Sequence, residues 1–306
     1  MRRRLVKQGS NALTITLPSE WCKQNNLKAG EEVEIEEEPH KLTVLATGQG
    51  MPGIMETSIE LSTAKPAVVR SVIGSLYRKG YDSVKVSYDN EITFRFVQQA
   101  ASSLIGFEVF DRNQGSVTIK SLSIGSESDL HSSINKILHI TVTMQQIFRE
   151  DYISGRYSRL EEMEDYRQWS WRLRDYVTRL VVKQGKNLSV ACSLAVLVWI
   201  LEKISRDFKA LYEICYDQKT KKDAETLKLY DRICGYYATL ADCIRSTDIH
   251  KVEQILEKYS QLAESGVLLA QCPGKKVGLY IKLVEITRLI QGASSNLVDL
   301  NMRQWS

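Results

Sequence analysis

Four histidines in 306 residues leave little imidazole for catalysis or metal binding. His40, His131, His139 and His250 are scattered, and they complete no zinc spacing with the six cysteines, none of which stands in a C-x-x-C pair. No serine occupies a G-x-S-x-G elbow, and there is no Gly-rich phosphate loop. The expectation is a non-enzyme that needs no cofactor and no metal. A run of about twenty apolar residues, the length that spans a bilayer, is also missing. The nearest stretch, Leu188 to Leu201, is shorter, and a hydrophobic signal region is missing because Arg2-Arg3-Arg4 leads into an alternating strand. A cytoplasmic protein with no integral membrane segment is expected. Its thiols should be reduced, since most of Cys22, Cys192, Cys215, Cys234, Cys243 and Cys272 fall on apolar helix faces, where a free thiol acts as a small hydrophobe.

What is present suits a folded, multidomain chain. The length allows two or three domains, and 43% hydrophobic with 25% charged residues is a globular composition. The net charge of +4 is too mild to announce a nucleic-acid partner, but charge is sorted locally. Arg2, Arg3, Arg4, Lys7, Lys23 and Lys28 have only Glu20 as an acidic neighbour, and Glu31, Glu32, Glu34, Glu36, Glu37 and Glu38 then follow without a cation. A phosphate backbone would be drawn to the first group and repelled by the second. The local order is β-β-α-β-β: Leu5 to Gln8, a Gly9-Ser10-Asn11 turn, Ala12 to Leu17, a short helix over Glu20 to Asn26 opened by Pro18-Ser19, then Val33 to Ile35 and Lys41 to Leu45. Fewer than about fifty residues bury a poor core alone, so a second copy is expected to complete it.

The runs Lys7-Gln8-Gly9-Ser10-Asn11-Ala12-Leu13-Thr14-Ile15-Thr16-Leu17-Pro18 and Leu27-Lys28-Ala29-Gly30-Glu31-Glu32-Val33-Glu34-Ile35 resemble the AbrB/MazE/SpoVT swapped-hairpin family. The resemblance covers the whole of residues 1–47 and implies a homodimer, or a higher homo-oligomer, whose interleaved hairpins set basic residues against DNA. The contacts it implies are Arg2, Arg3, Arg4, Lys7, Asn11 and Lys23: Asn11 is suited to reading a base edge, Arg and Lys to gripping phosphate.

Gly48 to Gly53 reads as a linker. Residues 54–122 then alternate as a β-α-β-α-β-β module, a small α/β sandwich: Glu56 to Leu61, Ala67 to Lys79, Ser83 to Tyr88, Phe94 to Ile105, and a hairpin of Phe107 to Phe110 with Val117 to Ile119. Ser121 to Asp129 reads as a second linker. From residue 126 to 306 the period is helical throughout. Ile134, Ile137, Leu138, Thr141, Met144 and Phe148 mark one buried stripe; Tyr166, Trp169, Leu173, Tyr176, Val177 and Leu180 a second; Leu194, Val198, Leu201, Ser205, Phe208 and Tyr212 a third. Three more helices, about Ala224 to Ile244, Ile249 to Ser265 and Val277 to Asp299, make two three-helix bundles over about 126–217 and 220–306. The acids Glu161-Glu162 and Glu164-Asp165 open a helix as solvated charges, and Lys219 to Lys222 is a solvated turn.

Two triple-helix bundles look like PhoU, the phosphate-uptake regulator family, and head and tail together resemble archaeal PhoU-like regulators. The family's metal-holding acids at i and i+4 do not carry over. Here Glu202 is followed at i+4 by Arg206, while Asp207 points about 100° away. Arg288 to Gly292 replaces both acids in the second bundle, with Asn296 remaining. Glu202 and Arg206 should instead pair on an exposed helix, worth about 0.3 kcal/mol. The expected architecture is therefore multidomain α+β: an N-terminal swapped-hairpin β domain, a small α/β sandwich and C-terminal all-α tandem three-helix bundles. The expected function is a DNA-binding transcriptional regulator, with phosphate homeostasis and phosphate-transport or signalling partners implied by the PhoU resemblance. The alternative is an adaptor that dimerises through its head and docks a protein partner through its tail. A MazE-type antitoxin fits less well, because such proteins carry a short disordered tail and this chain continues for about 250 residues of periodic sequence.

Overall fold

The computed structural model describes all residues except 1, 10, 11, 39–40, 47–53, 63–64, 123–124, 186–187, 247–248, 271–275 and 302–306. The sequence-predicted breaks at Gly48 to Gly53 and at Pro273-Gly274, and Cys272, lie outside the described residues. The chain divides into two compact units, Met1–Met55 and Glu56–Ser306.

The first unit is two separate ribbons. β1 (Val6–Gln8) pairs antiparallel with β2 (Ala12–Thr14), and β3 (Val33–Glu38) with β4 (Lys41–Ala46). No ladder among the described residues joins one ribbon to the other. Between them sits α1 (Ser19–Gln24), started by Pro18 in an extended conformation and ended at Asn26, a residue with φ of +55°.

In the second unit a four-stranded sheet has the order β5-β6-β8-β7, from β5 (Glu56–Leu61), β6 (Ser83–Tyr88), β7 (Phe107–Asn113) and β8 (Ser116–Ser121). β5 and β6 are parallel and the remaining pairs antiparallel. Alternation decides the faces: Val84, Val86 and Tyr88 are buried while Ser83, Lys85 and Ser87 are not. The buried face packs on α2 (Pro66–Arg78) and α3 (Glu91–Ser102) through Val69, Ile73, Tyr77, Phe94 and Val97. Pro66 takes the first turn of α2, where its missing N–H costs nothing. α3 begins three residues earlier than the sequence pattern suggested, because the Asn90 side chain caps it by accepting from the Thr93 N–H at 2.9 Å.

The helical part comprises α4 (Glu127–Ser154), α5 (Leu160–Lys183), α6 (Leu188–Gln218), α7 (Ala224–Ser246), α8 (Ile249–Ala270) and α9 (Val277–Asn301). α4, α5 and α6 pack together, α7, α8 and α9 likewise, and the two triplets meet chiefly along α6 and α9. The stretch read as a linker to Asp129 is in part helix. Ser126 and Asp129 form a reciprocal capping box that starts α4, which ends at Gly155 in the left-handed region with φ of +69°.

Every residue of the first and third predicted stripes is buried. In the second, Trp169 is a correction: it lies on the surface, where the cations of Lys136 and Arg172 sit over its ring at 4.9 and 4.8 Å. Cys215 and Cys243 are buried, Cys22 and Cys234 half-buried, and Cys192 is exposed. α6 also corrects the expectation about apolar length: it is long and apolar enough to cross a membrane by length and composition. Its apolar residues Leu197, Val198, Leu201, Ile204 and Phe208 belong to the bundle core, which gives a core helix the same composition.

Sheet and bundle are clamped by charge. The Arg179 guanidinium donates to the Tyr77 and Tyr81 carbonyls at 3.0 and 2.7 Å and to Asp82 at 2.7 Å. Lys183 donates to the other Asp82 oxygen at 2.7 Å, and Arg78 reaches back to Asp175 at 3.2 Å.

Candidate nucleic-acid interface

The described residues of the first unit form no core of their own. Among its described residues as far as Ala46, not one side chain is buried. Apolar groups that a folded domain hides stand in the open: Val6 is 58% exposed, Leu13 65%, Ile35 59% and Leu42 67%. Cross-strand register puts Lys7 beside Leu13 on one face of the first ribbon and Val6 beside Thr14 on the other, where the Thr14 hydroxyl donates to the Val6 carbonyl at 3.1 Å. Both faces of a two-stranded ribbon are therefore apolar and uncovered. A lone hairpin of that kind is marginal in water. In the second ribbon Val33 and Ile35 lie opposite Ala46 and Val44, which makes a second half-face awaiting cover.

The cations are placed by the same local rules. Gly9, with φ of +72°, begins the turn after β1; Arg2, Arg3 and Arg4 precede β1, which carries Lys7. Lys23 lies in the last turn of α1, where a positive side chain suits the helix dipole. Arg2, Arg3, Arg4, Lys7 and Lys23 are all exposed and form no ion pair among the described residues. Asn11 lies outside the described residues. Glu31 is used locally, accepting from the Lys28 backbone N–H at 2.8 Å, and so holds the turn into β3. Unneutralised cations on one segment and an acidic strand on another give a charge asymmetry that a phosphate backbone reads.

Elsewhere, Glu202 is not where its predicted pair required. It is buried, its nearer partner is Arg174 at 3.2 Å, and Arg206 is only loosely placed at 3.9 Å. Asp207 is also buried and is held by Lys203 at 2.8 Å and Lys282 at 3.5 Å. Among the described residues no three of His, Cys, Asp or Glu converge as metal ligands would. Glu164 is half-buried rather than solvated: it accepts from Arg167 and Gln168 and pairs with Lys209. Those hydrogen bonds, from Arg167 above all, hold its carboxyl down at about 2. The group of arginines around this point went unnoticed in the sequence, although Arg167, Trp171 and Arg174 at i, i+4 and i+7 share a helix face.

No curated protein and no solved structure matches the chain. Residues 6–50 match the MazE family, described as "Antidote-toxin recognition MazE, bacterial antitoxin". That span covers both ribbons, α1, Lys7 and Lys23 and leaves Arg2, Arg3 and Arg4 outside it; it supports a MazE/AbrB-type domain, of the kind that dimerises and binds DNA, in this part of the chain.

Proposed function

We propose that the chain is a homodimeric DNA-binding regulator whose first unit is completed by the same unit of a second copy. The observation that carries this reading is the pair of ribbons, with no buried side chain among the described residues, beside an unpaired cationic segment. Interleaving two copies covers Val6, Leu13, Ile35 and Leu42, and leaves Arg2, Arg3, Arg4, Lys7 and Lys23 free for phosphate, with Asn11 offered to a base edge. The second unit receives a signal or a partner and performs no catalytic step. Its two three-helix bundles support an architectural likeness to PhoU regulators, and phosphate homeostasis, with phosphate-transport or signalling partners, is the process we infer from it.

Sedimentation of the full chain should give twice 34.9 kDa. The dimer should bind selected genomic fragments with an affinity that falls steeply with salt, and Arg3→Ala/Arg4→Ala/Lys7→Ala should stay dimeric and lose that binding. A monomer refutes the reading. A dimer with no sequence preference, unaffected by the three substitutions, favours the adaptor instead. The family description favours one further reading, neutralisation of a toxin partner, which co-expression with a neighbouring gene product would test.

A further inference from the structure

The strongest unassigned feature of the second unit is a cleft of about 680 Å³ between α2–α3 of the sheet module and α5–α6 of the first bundle. Arg167, Arg172 and Arg174 of α5 and Arg206 of α6 line one side, and Arg70 of α2 contributes a fifth guanidinium. Only Glu164 and Glu202 oppose them in the lining, which leaves three positive charges. A cluster of like charge is costly to assemble without a counter-ion.

The individual arginines show which are structural and which are free. Arg174 is committed: it is buried, bonded to Asp175 at 2.7 Å and to Glu202 at 3.2 Å, and its guanidinium lies 3.9 Å from the Trp199 ring centre. Arg167 is held by Glu164. Arg206 has only the 3.9 Å approach to Glu202. Arg70 has no ion pair among the described residues. The Arg172 Nε–H is buried with no acceptor among them. Arg172 thus enters the lining with one donor uncompensated, its guanidinium carbon 4.8 Å from the Trp169 ring centre and in no ion pair among the described residues.

The opposite wall differs in chemistry. Ser102 and Ser103 at the end of α3 spend their hydroxyl protons on the Gln99 and Ala100 carbonyls, at 3.1 and 2.7 Å. Their oxygens, and the carbonyl end of α3, then accept hydrogen bonds, which suits sugar hydroxyls and disfavours phosphate. Trp171 supplies an aromatic surface in the same lining.

We propose that this cleft binds a nucleoside diphosphate, with the diphosphate on Arg167, Arg172 and Arg206 and the sugar hydroxyls toward Ser102 and Ser103. Charge selects the class: a diphosphate carries about three negative charges, matching the excess in the lining, whereas a monophosphate carries about two. Size agrees, since ligand pockets of about 300–1,000 Å³ hold molecules of nucleotide size and a bare pyrophosphate would leave most of the space to water. The inference does not depend on DNA binding by the first unit.

The test is isothermal titration of the full chain with ADP, AMP and inorganic phosphate. It is run on an Arg2→Ala/Arg3→Ala/Arg4→Ala/Lys7→Ala/Lys23→Ala background so that these five cations of the first unit cannot supply the signal. Saturable binding of ADP is expected, at least tenfold tighter than AMP and tighter still than inorganic phosphate. Arg172→Gln/Arg206→Gln should weaken ADP at least tenfold, and Glu164→Gln, which releases Arg167, should tighten it severalfold. The proposal is overturned if ADP does not saturate, if AMP binds as well as ADP, or if the double variant binds ADP as its parent does. Should the double variant fail to fold, Glu164→Gln decides: unchanged or weaker ADP binding overturns it.

Discussion

Replacing Arg179 by Met tests whether charge holds the sheet module on the bundle. The Arg179 side chain is 5% exposed and reaches three acceptors on the sheet module: the Tyr77 carbonyl, the Tyr81 carbonyl and the Asp82 carboxylate. Burial depresses the pKa of this guanidinium and Asp82 opposes that shift, as expected of a desolvated cation kept charged by its partner. Met keeps an apolar stem but satisfies none of the acceptors and loses the guanidinium that lies 5.1 and 5.3 Å from the Tyr77 and Phe107 ring centres. The Tyr77 carbonyl keeps the Gly80 N–H at 3.0 Å, and Asp82 keeps Lys183 at 2.7 Å. Removing one partner of a buried pair costs about 3–5 kcal/mol, and since Asp82 is not left alone the lower end, about 3 kcal/mol, applies. Urea unfolding followed by tryptophan fluorescence and by far-ultraviolet circular dichroism should show that loss. Arg149→Met, which removes an exposed pair with Asp231, should leave the midpoint within error. A loss below about 1 kcal/mol for Arg179→Met would show that apolar contact alone seats the sheet.

Three further perturbations probe other parts of the second unit. Gly125→Ala would place a Cβ 2.2 Å from Leu180 Cδ2 and 2.6 Å from the Tyr176 hydroxyl, so it should cost about 1–3 kcal/mol of overpacking by urea titration, and a neutral result would show that both side chains swing clear. Burial pushes the Cys215 thiol up to about 11 and the Cys234 thiol up to about 12, whereas Cys192 is exposed; Ellman's reagent at about pH 8 should therefore modify Cys192 well before either, and equal rates would contradict the packing of α6 and α7. The Glu164 carboxyl, depressed from 4.5 to about 2, stabilises the fold fully above its unfolded value and loses that contribution as pH falls through the folded one. Glu164→Gln should thus be less stable than wild type at about pH 6 and nearly equal to it at about pH 2, and a gap that ignores pH would sink the assignment.

Much of the fold was legible because one-sided burial imposes a period. The strand Glu56–Leu61, the strand Ser83–Tyr88 and the succession of six helices stand where alternation and the i, i+3, i+4 rule put them. Trp169 escaped that logic: it continues an apolar stripe in sequence, yet its ring is wide enough to lie on the surface under two cations. Asn90 and Ser126 lengthened α3 and α4 through side-chain caps that no hydrophobic pattern records.

The two candidate sites were readable to different degrees for a related reason. The cationic segment is contiguous, Arg2 to Lys7, so charge sorting exposes it to a reader of sequence alone. The arginine cleft gathers Arg70, Arg167, Arg172 and Arg206 from three helices and two layers, and each looks locally like an ordinary solvated charge. The pairing of Glu202 shows the difference most sharply. By helical spacing it belongs to Arg206, but burial makes an incompletely bonded carboxylate expensive, and Arg174, coming from the neighbouring helix with a fixed guanidinium, satisfies it at shorter range. That exchange leaves Arg206, in the lining of the cleft, with only its 3.9 Å approach to Glu202. A structural demand in the bundle core thereby produces the free cation on which the proposed ligand site depends.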